Sequence, residues 1–259
     1  MGFTEHTLTI AGSLLRYRER GVGQPLLFLH GAGGADSGLP FLTLLAERFR
    51  VLLPDHPGFG QSPDPVWLDN IHDAAYAYLD FLAALELRDV HLVGTSLGGW
   101  IALEIAVRDS HRLASLTVIG APGICPGDIQ TGDLFNWSPE QRVRRLVADP
   151  ELAARILALP QTAEQQETAI RNHLTTAKLA GEPRFVDPNL HKWLHRIRLP
   201  TQVIWGAEDQ LFPLDYGRRL AAMIPAARFS IIDRCGHLPQ VERPGVLADL
   251  LADLLRATV

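Results

Sequence analysis

Ser96 stands in Gly94-Thr95-Ser96-Leu97-Gly98-Gly99, directly after the apolar run Val90-His91-Leu92-Val93. The residues that follow, Trp100 to Ala106, read as a helix without a breaker. A serine held between a strand and a helix occupies a cramped backbone position, and glycines two before and two after keep neighbouring chain from colliding with it. Its hydroxyl then stands clear of the sheet. The N–H of Leu97, at the helix start, points where a developing oxyanion would lie. Gly-x-Ser-x-Gly also arises by chance: with 22 glycines and 8 serines in 259 residues, random order gives about 0.06 matches per chain. The strand-turn-helix setting and the partners downstream therefore carry the reading.

Three further segments follow predicted strands at the end where open α/β sheets place their ligands. His30-Gly31-Ala32-Gly33-Gly34 follows 26–29, and its glycines let backbone approach a ligand. The N–H of Ala32, ahead of that of Gly33, is the expected second oxyanion donor. Trp205-Gly206-Ala207-Glu208-Asp209 follows 202–205 and places an acid beyond it, while Cys235-Gly236-His237 follows 229–232. The order Ser96, Asp209, His237 is the order of nucleophile, acid and base in one family of triads. Serine is a poor nucleophile until a base takes its proton; His237 is the expected base, and Asp209 orients and stabilises its imidazolium.

The elements that must position these groups are legible. Leu8 to Ile10 and Leu14 to Glu19 read as a hairpin around Ala11-Gly12-Ser13. Continuous apolar runs at 25–30, 51–53, 90–93 and 116–119 read as strands buried on both faces. Helical patterns lie between them at 41–48, from a cap at Asp69 or Asn70 through Leu85, and after Ser96. This alternation predicts a parallel sheet with helices on both faces. It breaks near Ala121-Pro122-Gly123, after which the pattern is helical to about residue 196. Ser138-Pro139-Glu140-Gln141, Asp149-Pro150-Glu151 and Thr162-Ala163-Glu164-Gln165 are three helix starts. Strands resume at 202–205 and 229–232, with helices expected around 215–223 and 241–256. The expected organisation is a core of residues 1–121 and 199–259 with a helical cap at 122–198.

On these motifs the sequence resembles the α/β-hydrolase superfamily, together with Pro54-Asp55-His56-Pro57-Gly58-Phe59-Gly60-Gln61-Ser62 and Gly236-His237-Leu238-Pro239-Gln240-Val241-Glu242. The resemblance implies an eight-stranded, mostly parallel sheet with a helical cap over the nucleophile. Within the superfamily the chain is similar to small capped carboxylesterases and to C–C bond hydrolases of meta-cleavage products. The latter often carry asparagine before the nucleophile and an aromatic residue after the catalytic histidine; Thr95 and Leu238 stand there in this chain. Dehalogenases and epoxide hydrolases of this fold use an aspartate nucleophile, which Ser96 argues against. The expected activity is hydrolysis of small or medium, largely apolar esters, with Trp137 and Leu238 in the substrate pocket. C–C cleavage of a vinylogous diketone acid is the enzymatic alternative, and a small-molecule receptor that keeps the triad is a third reading.

Composition excludes other classes. The net charge of −5 offers no basic footprint for nucleic acid. No apolar run approaches the roughly 18 residues of a membrane span, and the start lacks a signal-peptide pattern; a cytoplasmic location is expected. Cys125 and Cys235 are too far apart in sequence to indicate a disulfide framework or metal spacing. Among the remaining histidines only His191 and His195 stand four apart, and neither a metal nor a cofactor is expected. Asp55 and His56 read as turn residues, and Arg142, Arg144 and Arg145 as a solvated helix face. Phe135, Trp137, Leu146, Ile156, Leu174 and Trp193 are expected mostly to bury against one another. A small-molecule substrate is the expected partner, and oligomeric state is not legible.

Overall fold

In the computed structural model, which describes residues 2–256, eight strands form one sheet: β1 (Thr4–Ile10), β2 (Ser13–Arg20), β3 (Pro25–Leu29), β4 (Arg50–Pro54), β5 (Val90–Thr95), β6 (Leu113–Ile119), β7 (Thr201–Gly206) and β8 (Arg228–Ile232). Their order is β1-β2-β4-β3-β5-β6-β7-β8. Only β2 runs against its neighbours. The chain passes from β3 to β4 on one side and then crosses from β4 to β5 on the other side of β3, which makes a topological switch point of the kind where such sheets bind ligands.

Both faces of the central strands are buried, which explains their continuous apolar sequences. Along β3, Leu27 and Leu29 enter one core with Leu92, Tyr78, Phe81 and Leu103. Leu26 and Phe28 enter the other with Phe41, Leu42, Val93, Leu247 and Leu251. The first core is covered by α2 (Ile71–Ala84) and α3 (Leu97–Arg108), the second by α1 (Leu39–Leu45) and α9 (Pro244–Arg256). Asn70 is the N-cap of α2: its side chain accepts from His72 and Asp73 N–H, and Asp73 returns the bond to the cap backbone. Such a reciprocal cap is worth about 1 kcal/mol.

Between β6 and β7 the chain forms α4 (Pro139–Leu146), α5 (Pro150–Ala158), α6 (Ala163–Ala180) and two 3₁₀ turns, Leu190–Lys192 and Leu194–Arg196. The caps Ser138, Asp149 and Thr162 are used as their sequences predict. α6 is tied to the core by several side chains, three of them in the contacts that follow. Asn172 Oδ1 accepts the Gly60 N–H at 3.0 Å, Thr175 Oγ1 donates to Gly58 O at 2.8 Å, and Lys178 pairs with Asp64 at 2.9 Å.

After β7 come α7 (Leu214–Ala222) and α8 (Pro239–Glu242). Three expectations are corrected. The helix expected over 241–256 is two helices, α8 and α9, because Arg243 precedes Pro244 and is driven out of the helical region to φ −137°, ψ 51°. Leu174 and Trp193 do not join the packing of the insertion but remain 64% and 48% exposed. Of the three arginines on α4, Arg144 and Arg145 are solvated, but Arg142 turns inward.

Candidate active site

The turn after β5 holds Ser96 at φ 50°, ψ −120°, a conformation that costs a non-glycine residue free energy and persists only where surrounding structure enforces it. The enforcement is steric. A Cβ on Gly94 would lie 2.3 Å from Gly98 O, and one on Gly98 would lie 2.2 Å from Leu29 O. The Ser96 N–H is also bonded to Ile119 O at 2.8 Å. Strand, turn and helix therefore interlock only with glycine at these positions, and Ser96 is presented above the strand ends.

Ser96 meets the two residues expected of it. His237 Nδ1 lies 2.7 Å from Asp209 Oδ2, and its Nε2 lies 2.9 Å from Ser96 Oγ. A carboxylate only accepts, so Nδ1 carries the proton and Nε2 is left to accept from the serine hydroxyl. All three residues are buried. Asp209 is fixed through its other oxygen, which accepts from the Leu211 and Phe212 N–H groups at 2.8 and 3.0 Å. The Phe212 ring lies against His237 at 5.7 Å. Glu208, the neighbouring acid, is exposed.

The loop after β3 passes directly over Ser96: a Cβ on Gly31 would lie 3.2 Å from Ser96 Cβ. The Ala32 N–H has no protein acceptor among the described residues. Leu97 is the first residue of α3, so its N–H lacks an intrahelical acceptor. Two unpaired donors thus flank the serine, the requirement for stabilising an oxyanion.

Leu238 follows His237 at the start of α8 and is half-buried. Trp137 is buried within the insertion, stacked under the Arg145 guanidinium at 5.1 Å and close against Gly132. Gly132 N–H in turn donates to Leu211 O, beside Asp209. Arg142 donates through Nε to Trp137 O at 3.1 Å, and its Nη1 lies 3.4 Å from His173 Nδ1. No carboxylate pairs with Arg142 among the described residues, and burial lowers its pKa.

Two buried polar features near the site and the insertion were not read from the sequence. Glu242 is buried and joins three backbone donors: Gly236 N–H at 2.8 Å, Ala148 N–H at 2.8 Å and Asp149 N–H at 3.3 Å. It thus couples the loop carrying His237 to the insertion, which also accepts the His237 N–H at Leu146 O. His72, Glu104 and Asp187 form the second feature, bringing three potential ligand atoms within 4.8 Å of one another. His72 Nε2 lies 3.0 Å from Asp187 Oδ2, and Trp100 Nε1 donates to Glu104 at 3.0 Å while Arg108 pairs with its other oxygen. These groups satisfy one another and tie α2 and α3 to the insertion. The contacts that join separate elements span about 30 to 115 residues and leave no periodic trace, which is why spacing did not reveal them.

The sequence pattern of the Alpha/beta hydrolase family matches residues 26–250, and the chain belongs to that family. A 2-hydroxymuconate semialdehyde hydrolase from Pseudomonas sp. (strain CF600) is 31% identical over 95% of this chain and 91% of its own length. Among solved structures, a bacterial membrane phospholipase A described as a virulence factor superposes with a TM-score of 0.80 at 27% identity, covering 99% of this chain and 87% of that one. An esterase from Rhodococcus sp. ECU1013 superposes with a TM-score of 0.79 at 20% identity over 100% of both chains, a likeness of fold. The chain is thus a hydrolase of the α/β fold, related to proteins acting on small molecules. No helix among the described residues is long and apolar enough to cross a membrane.

Proposed function

We propose that the protein hydrolyses small to medium, largely apolar carboxylic esters through Ser96, His237 and Asp209, with no metal or cofactor taking part. The observation that carries this reading is the continuous relay from Asp209 through His237 to Ser96, at 2.7 and 2.9 Å. His237 Nε2 takes the hydroxyl proton as Ser96 Oγ attacks the ester carbonyl. The Ala32 and Leu97 N–H groups receive the oxyanion, and His237 returns the proton to the leaving alkoxide. Water, deprotonated by His237, then attacks the acyl-enzyme and releases the acid. Removing one oxyanion donor from such a site costs about 10²–10³ in rate.

Residues 122–198 act in this reading as a cap over the nucleophile, excluding water from a pocket to which Trp137 and Leu238 contribute. The ties from Asn172 and Thr175 to the 58–60 loop support a cap closed onto the core.

A second reading has its own support. C–C hydrolysis of a vinylogous diketone acid needs a cation to offset carboxylate desolvation, and Arg142 is a partly buried arginine with no acidic partner among the described residues. The name of the Pseudomonas relative points the same way. Against it, the insertion balances ten Lys/Arg with nine Asp/Glu between Ala121 and Arg198, and Leu238 beside His237 favours a neutral acyl group.

Steady-state kinetics on p-nitrophenyl esters from acetate to octanoate, beside a meta-cleavage dienone acid, test the proposal. Ester kcat/KM at least tenfold above that for the acid supports it. Faster turnover of the acid moves the assignment to C–C cleavage, and binding without turnover of either moves it to a receptor.

A further inference from the structure

Behind the Ala32 loop lies a buried chain of hydrogen bonds that the reaction above does not use. His30 and His56 grip one another: the His56 N–H donates to His30 Nε2 at 3.1 Å, and His56 Nε2 lies 2.8 Å from His30 O. The rings lie against one another with centroids 3.8 Å apart and planes tilted by 33°. His30 Nδ1 lies 2.7 Å from Gly31 O, and His56 Nδ1 lies 2.5 Å from the Tyr78 hydroxyl on α2.

These contacts fix every proton in the chain. A backbone N–H can only donate, so His30 Nε2 accepts, and its proton sits on Nδ1, from which it is donated to Gly31 O. A carbonyl can only accept, so His56 Nε2 carries a proton that goes to His30 O. Neutral His56 then accepts at Nδ1 from the Tyr78 hydroxyl. Both rings are buried. Burial pushes the His30 imidazole down to about 4 and, with His30 close by, holds His56 well below its ordinary value; burial also holds the Tyr78 hydroxyl protonated.

The consequence lies in one peptide plane. Gly31 C=O and Ala32 N–H belong to the same trans peptide and point in opposite directions. Gly31 O is held from two sides, by His30 Nδ1 and by the Gly34 N–H at 3.0 Å. Pinning that oxygen sets where the Ala32 N–H is aimed, and Gly31 is the residue stacked on Ser96.

We propose that His30, held in one tautomer by His56 and Tyr78, is a positioning residue that aims the Ala32 N–H at the oxyanion formed on Ser96. The inference rests on the Ser96 reaction proposed above and adds the origin of its oxyanion geometry. A preorganised donor stabilises charge that develops in the transition state, so its misalignment lowers the rate of the chemical step and leaves ground-state binding nearly unchanged.

The test uses an alkyl fluorophosphonate on the full-length protein. Ser96 Oγ forms a bond to phosphorus, fluoride leaves, and His237 takes the serine proton; the phosphoryl oxygen occupies the oxyanion position. Inactivation gives a maximal rate constant and a separate half-saturation constant. His30→Leu removes the donor to Gly31 O, whereas His30→Asn keeps an N–H near the place of Nδ1. His30→Leu is expected to lower the maximal rate about 10- to 100-fold, short of or comparable to the loss of a whole donor, with half-saturation within about twofold. His30→Asn should recover most of that loss, and Tyr78→Phe, which deletes only the remote hydroxyl, should cost about threefold or more.

A maximal rate unchanged in both His30→Leu and Tyr78→Phe overturns the proposal. So does His30→Asn as slow as His30→Leu, since that result makes the ring a packing element. If His30→Leu does not fold, Tyr78→Phe and His30→Asn decide. Ser96→Ala separates the two levels: labelling that persists in Ser96→Ala removes the Ser96 reaction itself. Labelling abolished there but at full speed in His30→Leu removes only the positioning role.

Discussion

Glu242 Oε1 accepts a hydrogen bond from the N–H of Gly236, the residue directly before His237, at 2.8 Å. Its other oxygen accepts from Ala148 and Asp149, so one buried carboxylate fixes both the histidine loop and the inserted helices. Glu242→Ala leaves three backbone donors without that acceptor. Each unsatisfied donor costs about 1–3 kcal/mol unless water reaches it, and the substitution is expected to lower stability by about 3 kcal/mol in urea unfolding. Unfolding midpoints equal to wild type would contradict this role.

The acid of the relay has a neighbour of the same chemistry, and burial separates them. Asp209 is buried and bonded to His237, whereas Glu208 is exposed and reaches neither ring nor serine. Asp209→Asn is expected to lose about 10⁴-fold in acylation rate, the scale seen when a triad acid becomes an amide. Glu208→Gln should lose less than about tenfold. Pre-steady-state acylation of both variants gives the ranking, and the reverse order would transfer the role to Glu208.

Acid should destabilise the protein through histidines buried in neutral form. Burial pushes both His30 and His91 down to about 4, and His91 Nε2 has no hydrogen-bond partner among the described residues. The unfolded chain takes up these protons near pH 6.5, so between about 6.5 and 4 it binds more protons than the folded protein does. Stability is therefore full above about pH 6.5 and falls as pH drops through that window, by about 3 kcal/mol for each histidine. Urea unfolding at pH 7, 5.5 and 4.5 should show the decline, and His91→Gln should flatten it. Equal midpoints at all three pH values would show that these histidines do not titrate between the two states.

Arg142 separates the two enzymatic readings. Under ester hydrolysis, Arg142→Gln should change kcat/KM for p-nitrophenyl butyrate less than about threefold. A charge-assisted bond to a substrate carboxylate would make the loss on a dienone acid about tenfold or more. Trp137→Ala should shift acyl-length preference more than it alters the rate on acetate. A loss confined to the acid, together with faster turnover of that acid than of any ester, would favour C–C cleavage.

What the sequence disclosed follows the range of the forces involved. Leu26 to Leu29 read as a doubly buried strand because burial on both faces is a local requirement. Asn70, Ser138 and Thr162 read as helix starts because a cap is satisfied within three residues. Ser96 stood out because its turn needs glycine at 94 and 98 within five residues. The break at Arg243 was missed because the helical pattern resumes beyond Pro244. Glu242, Arg142 and the His30–His56–Tyr78 chain were opaque: each has a partner in a distant segment, and a carboxylate or imidazole in a loop looks the same whether solvated or gripped.

The most direct test of the central claim is the site of covalent labelling. Fluorophosphonate-treated protein is digested and the adduct located by mass spectrometry, alongside Ser96→Ala and His237→Gln checked for folding by circular dichroism. The account predicts a single adduct on Ser96 among the 8 serines, none in Ser96→Ala, and labelling slowed by orders of magnitude in His237→Gln. An adduct on another serine, with ester turnover retained in folded Ser96→Ala, would contradict it.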